Sequence, residues 1–168
     1  FDQDEYLREL CRHGWKTKIA NIVSKEEQQP YLDRIKYELE VLQGAGLSSY
    51  FLIVQDIVNF VRKNGWLPGP GRGSAAGCLV SYLIGITSID PIRYNLFFDR
   101  FYNSGRNTKD RISMPDIDVD VPINKREIII QYIKDKYGHD RVSQMVTFNT
   151  IKGRGALKDV LRVYGNIS

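Results

Sequence analysis

Apolar residues return every three or four positions through the first 63 residues, and every second position in two later stretches. The first spacing is that of a helix face and the second that of a strand face. Residues 2–22 predict a helix whose stripe is Tyr6, Leu7, Leu10, Trp15 and Ile19. A polar connection over 25–30 ends in Pro30. Leu32, Ile35, Leu39 and Leu42 predict a second helix over 31–43, stopped by Gly44 and Gly46. Phe51, Val54, Ile57, Val58 and Val61 predict a third over 50–63, capped by Ser48 or Ser49 and ended by Asn64-Gly65. A glycine-proline loop over 68–73 leads into an apolar helix of small residues that begins at Ser74 and closes at Gly85. Asp90-Pro91 marks a turn. Residues 96–102 are rich in aromatics and fit a strand or a short helix.

The polar stretch 103–111 predicts a mobile hairpin or loop. Residues 112–121 and 142–148 alternate as strands do. Between them Asn124 caps a helix over 125–137 that Gly138 ends, and Asn149 or Thr150 opens a last helix running to Gly165. Helices first, then strands alternating with helices, predict one α/β (α+β) unit on a helical entry. The expected division is a helical entry segment over 1–48 and the site-bearing segment over 49–168.

Composition narrows the class only a little. With 168 residues, 42% hydrophobic and 26% charged, the chain has the make-up of one globular domain. A formal charge of +4 permits a polyanionic partner without requiring one. Cys11 and Cys78 are far apart, and His13 and His139 stand alone, so neither a disulfide framework nor a zinc site is expected. No signal peptide or membrane span is visible, and the expected compartment is the cytoplasm. The chain starts at Phe1, which fits an internal segment of a longer protein.

Candidate chemistry lies in two places. In Met114-Pro-Asp-Ile-Asp-Val-Asp120 the alternation of a strand puts Asp116, Asp118 and Asp120 on one face, with Ile117, Val119 and Val121 on the other. Carboxylates crowded on one face repel unless a cation or a set of donors compensates. Hard oxygens suit Mg²⁺, which keeps sites for water and phosphate. Two-metal phosphoryl transfer uses such carboxylates to hold ions roughly 3.5–4 Å apart. The pattern alone leaves a metal site and a solvated strand face equally open.

The second place is Gly69-Pro-Gly-Arg-Gly-Ser74. Glycines let a backbone approach a ligand, and a helix start offers free N–H groups to an anion. Ser74 can cap the helix or bond a phosphate oxygen, and Arg72 adds charge. The loop is neither a Walker A motif nor a dinucleotide fingerprint, and a purely structural turn stays open.

Taken together, GPGRGSAAG at 69–77, ITSIDPIRYNLFFDRF at 86–101, SMPDIDVD at 113–120 and YGHDRVSQMVTFNT at 137–150 resemble, in this order, the palm of the C-family DNA polymerases, the bacterial DNA polymerase III alpha subunits. YFLIVQDIV at 50–58 and KDVLRV at 158–163 resemble the same family. The resemblance implies a polymerase-β-like nucleotidyltransferase palm, incomplete here. It implies that Asp116 and Asp118 are catalytic and hold Mg²⁺, with Mn²⁺ able to substitute, and that Asp120 stands behind them. It implies that Gly73, Ser74, Arg72 and Arg100 bind the triphosphate of the incoming nucleotide. The implied partners are primer–template DNA, deoxynucleoside triphosphates and the remaining polymerase segments or replisome subunits, with no membrane.

The sequence also departs from the family. The third catalytic aspartate, in a Lys-x-Asp-Leu-Leu-Gly context, has no counterpart; Lys134-Asp135 and Lys158-Asp159 fall in expected helices. The insertion at 103–111 is long, Cys78 stands where serine is common, and Val121-Pro122 is atypical. These features suit a divergent, phage-borne or split member, inactive on its own. A non-catalytic nucleotide- or DNA-binding or assembly fragment is the alternative, and a nucleotidyltransferase acting without template a further one.

Lys152, Arg154, Lys158 and Arg162 form a basic face on the last helix that suits a DNA backbone, or simply solvent. Arg106, Lys109 and Arg111 in the insertion are further candidates for DNA. Tyr94, Phe97, Phe98, Phe101 and Tyr102 suit core packing better than base stacking.

Overall fold

A computed structural model describes residues 1–103, 105, 114–148 and 150–165. Among the described residues the α-helices are, in order, α1 (Gln3–Lys18), α2 (Gln29–Gly44), α3 (Ser48–Lys63), α4 (Leu79–Leu83), α5 (Arg126–Tyr137) and α6 (Gly153–Val163). Two compact units emerge, Phe1–Ile133 and Lys134–Ser168.

The first unit is built around α4. Leu7, Cys11 and Gly14 of α1 share one face and are buried. Tyr31, Ile35, Glu38 and Leu42 do the same on α2, and Phe51, Val54, Val58 and Val61 on α3. Helices α1 and α2 both pack on α4, whose Leu79, Val80 and Leu83 are buried. Each fully buried Leu or Phe contributes about 1.5–3 kcal/mol. Glycine sets the closeness of the α1–α4 crossing. A Cβ on Gly14 would stand 2.0 Å from the Leu83 carbonyl oxygen.

Asp2 caps α1 by accepting from the amides of Asp4 and Glu5 at 3.0 and 3.1 Å. Leu47, not a serine, stands at the N-cap of α3. Ser48 instead donates to the Asp4 carboxylate, tying α3 to the start of α1. Phe98, Phe101 and Tyr102 enter the core, where Phe51 and Phe101 meet edge to face at 6.0 Å. Tyr94 and Phe97 stay exposed.

The α/β expectation is overturned. Among the described residues there is no strand and no sheet, so the architecture is helical and does not form the polymerase-β-like palm. Residues 114–121 form no regular element yet keep the period of two: Asp116, Asp118 and Asp120 face solvent while Ile117 and Val119 pack against the core. A strand, however, is defined by a ladder to a neighbour. Among the described residues its main-chain bonds go to a turn and a side chain: the Gly69 amide donates to the Asp120 carbonyl at 2.9 Å, and the Ile117 amide to the Tyr50 hydroxyl at 3.2 Å. Alternation records which side is buried, and a helical floor serves as well as a sheet. Residues 142–148 likewise form no strand among the described residues.

The expected helix from Ser74 is also broken. Gly73–Gly77 is a 3₁₀ turn, Cys78 is extended, and only then does α4 begin. The last helix starts at Gly153, a few residues after the expected Asn149 or Thr150. Asn149 itself and most of the 103–111 insertion, with Arg106, Lys109 and Arg111, lie outside the described residues. Among the described residues no single helix is long and apolar enough to cross a membrane.

In the second unit, His139 meets Asp135 at 2.9 Å. Arg154, Lys158 and Arg162 of α6 recur at four-residue spacing on one exposed face, and Lys152 is its N-cap. Asp159 pairs with Arg162 at 3.2 Å.

Candidate functional site

The glycine loop is held in place from beneath. Gly71 adopts φ +104°, and a Cβ there would lie 2.7 Å from the Thr87 methyl carbon. The Ser88 amide donates to the Pro70 carbonyl at 2.8 Å. Gly73, at φ +62°, occupies the left-handed region that glycine enters at little cost. At Gly77 a Cβ would sit 2.7 Å from the Phe97 carbonyl oxygen, so the loop's exit lies flat on the aromatic segment.

A buried ion pair fixes the same exit. Glu38 is fully buried on α2 and accepts from the amides of Leu79 and Val80 at 2.9 and 2.8 Å. Those are the first amides of α4, which the helix itself leaves without partners. Arg34 reaches Glu38 at 2.8 Å and also donates to the carbonyls of Gly77 and Leu96 at 2.6 and 2.9 Å. One guanidinium and one carboxylate therefore staple α2 to the loop's exit and to the start of the aromatic segment beside it. Burial raises the Glu38 carboxyl above the usual range, while the two amides and Arg34 act in the opposite sense. Sequence periodicity places position 38 on the buried face but cannot say that a carboxylate fills it.

The acidic segment runs alongside the loop. Arg72 reaches Asp118 at 3.2 Å and Asp120 at 3.1 Å, so one guanidinium bridges two carboxylates. All three side chains are about half exposed. Such pairs are worth little to stability, so their interest lies in where they put charge. A Cβ on Gly73 would lie 3.6 Å from the Asp118 carboxylate. Around the corner, Ser74, Arg100 and Asp116 line one cavity of about 180 Å³ together with Tyr102 and Asn103. Six residues singled out in sequence thus gather in one region: Arg72, Gly73, Ser74, Arg100, Asp116 and Asp118. The basic residues Lys152, Arg154, Lys158 and Arg162 belong to the second unit.

Tyr50, at the start of α3, is a member that sequence reasoning did not single out. Its hydroxyl receives the Ile117 amide, between the two aspartates. Burial raises its pKa, the Ile117 bond lowers it, and the charges of Asp116 and Asp118 raise it further. Sequence carries no direct signal for this, because Tyr50 reads as one more aromatic beside a helix start.

The donor set tests the expectation of a metal. Asp116, Asp118 and Asp120 offer hard, accessible oxygens, and a cationic group already lies against two of them. Among the described residues, no three His, Cys, Asp or Glu side chains converge on one metal position. Mg²⁺ takes hard oxygen ligands, often only one or two of them protein carboxylates, and leaves its other positions to water and phosphate.

Comparison with known proteins adds to this geometry. Residues 5–168 match the family model described as the bacterial DNA polymerase III alpha NTPase domain. The chain is 48% identical over 162 residues to the DNA polymerase III subunit alpha of Aquifex aeolicus, which covers 96% of this chain and 13% of that protein. It is 43% identical over 162 residues to the subunit of the same name from Bacillus subtilis, covering 96% and 14%. With that of Thermus aquaticus it is 52% identical over 134 residues, covering 80% and 11%. The chain thus spans only a small part of the length of these relatives.

Proposed function

Because the chain belongs to the bacterial DNA polymerase III alpha family, we propose that it carries the catalytic carboxylates and triphosphate-binding loop of a template-directed DNA polymerase. Asp116 and Asp118 are the catalytic residues and the ligands of Mg²⁺, for which Mn²⁺ can substitute. Mg²⁺ held by these carboxylates would supply Lewis acidity and charge neutralisation in phosphoryl transfer. The observation that carries the reading is the convergence of Ser74, Arg100 and Asp116 on one small polar cavity beside Arg72, Gly73 and Asp118.

The protein's own groups have separable tasks. Gly73 and Ser74 offer an amide and a hydroxyl to phosphate oxygens at a backbone without obstructing side chains. Arg100 adds a fixed positive charge in the same cavity. Arg72, with five donors on a planar head, is suited to exchange its carboxylate partners for phosphate. Tyr50 orients the backbone between the two aspartates. Such a site works by positioning and electrostatics rather than by covalent chemistry. Because Gly73–Gly77 is a 3₁₀ turn and not the start of a long helix, phosphate binding in this reading rests on the loop backbone and its side chains rather than on a helix dipole.

The substrates are primer–template DNA and deoxynucleoside triphosphates, and Lys152, Arg154, Lys158 and Arg162 contact the DNA backbone. Activity requires further polymerase segments, in keeping with the small share of its relatives that the chain spans. Primer extension with Mg²⁺ or Mn²⁺ tests this, with the chain alone and with the remaining segments of a family member added in trans. The expected result is no extension alone and extension in trans that Asp116→Ala abolishes. Extension in trans that survives Asp116→Ala would overturn the assignment.

A further inference from the structure

On the side of the first unit formed by α1, α3 and α4 lies a cavity of about 530 Å³ that the proposed reaction does not use. Its wall carries Lys18, His13 and Thr17 from α1, Gln55, Asn59 and Arg62 from α3, and Thr87 and Ser88 after α4. Among the described residues no aspartate or glutamate lines it. Two full cations thus share a concave polar surface, and among the described residues neither has a carboxylate in ion-pair range.

Both charged heads donate to main-chain carbonyls. Lys18 donates to the Tyr82 carbonyl and lies over the Tyr82 ring at 4.7 Å. Arg62 donates through Nη1 to the Gly85 carbonyl at 2.5 Å. A carbonyl dipole orients a cation but leaves its charge uncancelled. Burial first, and then the charge of Arg62, push Lys18 down to about 8. Burial alone lowers Arg62. Two like charges brought together in partial burial are unfavourable unless an anion completes the set. Thr87 is buried, and its Oγ1 has no hydrogen-bond partner among the described residues, so the wall also contains an unsatisfied polar atom.

We infer that this cavity is a binding site for a phosphorylated small molecule, separate from the acidic segment and the glycine loop. Lys18 and Arg62 supply charge, and Gln55, Asn59 and Thr17 supply neutral hydrogen bonds. The volume exceeds what a bare oxyanion fills and falls within the range of small-molecule sites. The ligand class is therefore pyrophosphate or a nucleotide rather than inorganic phosphate alone. The site also touches the loop's support, since Thr87 underlies Gly71 and Ser88 bonds Pro70.

The test is an amide and side-chain NMR titration of the 168-residue chain with inorganic phosphate, pyrophosphate and ADP, without divalent metal. It is run in a Ser74→Ala, Arg100→Met background to silence the loop. The expected result is a response at Gln55, Asn59, Thr87 and Ser88, stronger for pyrophosphate and ADP than for phosphate. Lys18→Met and Arg62→Met should each weaken it about tenfold or more, while Lys18→Arg retains it. Should Lys18→Met fail to fold, Arg62→Met with Arg62→Lys as its rescue carries the same comparison. Responses confined to other parts of the chain, affinities unchanged by both methionine variants, or binding of single-stranded DNA without binding of pyrophosphate or ADP would each overturn the inference.

Discussion

Glu38 shows how a single buried charge can be a structural part of a site it does not touch. It accepts from two main-chain amides and from Arg34, and Arg34 in turn holds the carbonyls of Gly77 and Leu96. In Glu38→Gln one acceptor becomes an NH₂ group facing an amide donor. The expected cost is about 2–4 kcal/mol, read from the urea midpoint at constant m-value. A change under 0.5 kcal/mol would show that the staple contributes nothing net, a rough threshold for surface substitutions. Lys18 gives a pH signature. Its folded-state value near 8 lies below the ordinary 10.5, so the folded state gives up the proton first. Charging Lys18 costs the fold stability below pH 8, and that cost fades between pH 8 and 10.5. The wild type should therefore gain stability relative to Lys18→Met through that window. A stability difference that stays flat across it counts against the burial assigned to Lys18. Such side-chain partnerships were not legible in the sequence, because periodicity reports burial and not the identity of the partner. Asp116, Asp118 and Ser74 did stand out, since acidic alternation and a glycine loop are local patterns, whereas Arg100 came only from the resemblance to the family.

At the scale of elements, α1, α2 and α3 were legible within a few residues because each presents a regular apolar stripe to one core. The segment 112–121 was read as a strand because its acidic and apolar residues alternate. The structure keeps the alternation and supplies no ladder among the described residues. The helix at Ser74 was overextended for a different reason. Small apolar residues have helical spacing, but Gly77 lies against the Phe97 carbonyl and Cys78 turns extended. These close approaches are testable. Gly14→Ala drives a methyl into the Leu83 carbonyl and should cost about 1–3 kcal/mol or more, measured by thermal unfolding. Gly71→Ala combines an unfavourable φ with a 2.7 Å contact on Thr87. It should destabilise the chain and displace the Gly73–Ser74 resonances, whereas Gly44→Ala, with open space around it, should do neither.

At the scale of the molecule, the family was legible from the order of short motifs, and the match over residues 5–168 bears it out. The fold class was not, because whether extended segments join a sheet depends on partners that lie far along a chain or outside the described residues. The proposed function requires that Asp116 and Asp118 bind metal next to a loop that binds triphosphate. Paramagnetic Mn²⁺ can be titrated into the isotopically labelled chain with and without a deoxynucleoside triphosphate. The expected result is broadening centred on residues 116–118, extending to Gly73, Ser74 and Arg100 when the nucleotide is present, and abolished by Asp116→Ala with Asp118→Ala. Broadening centred elsewhere, or unchanged in the double variant, would contradict it.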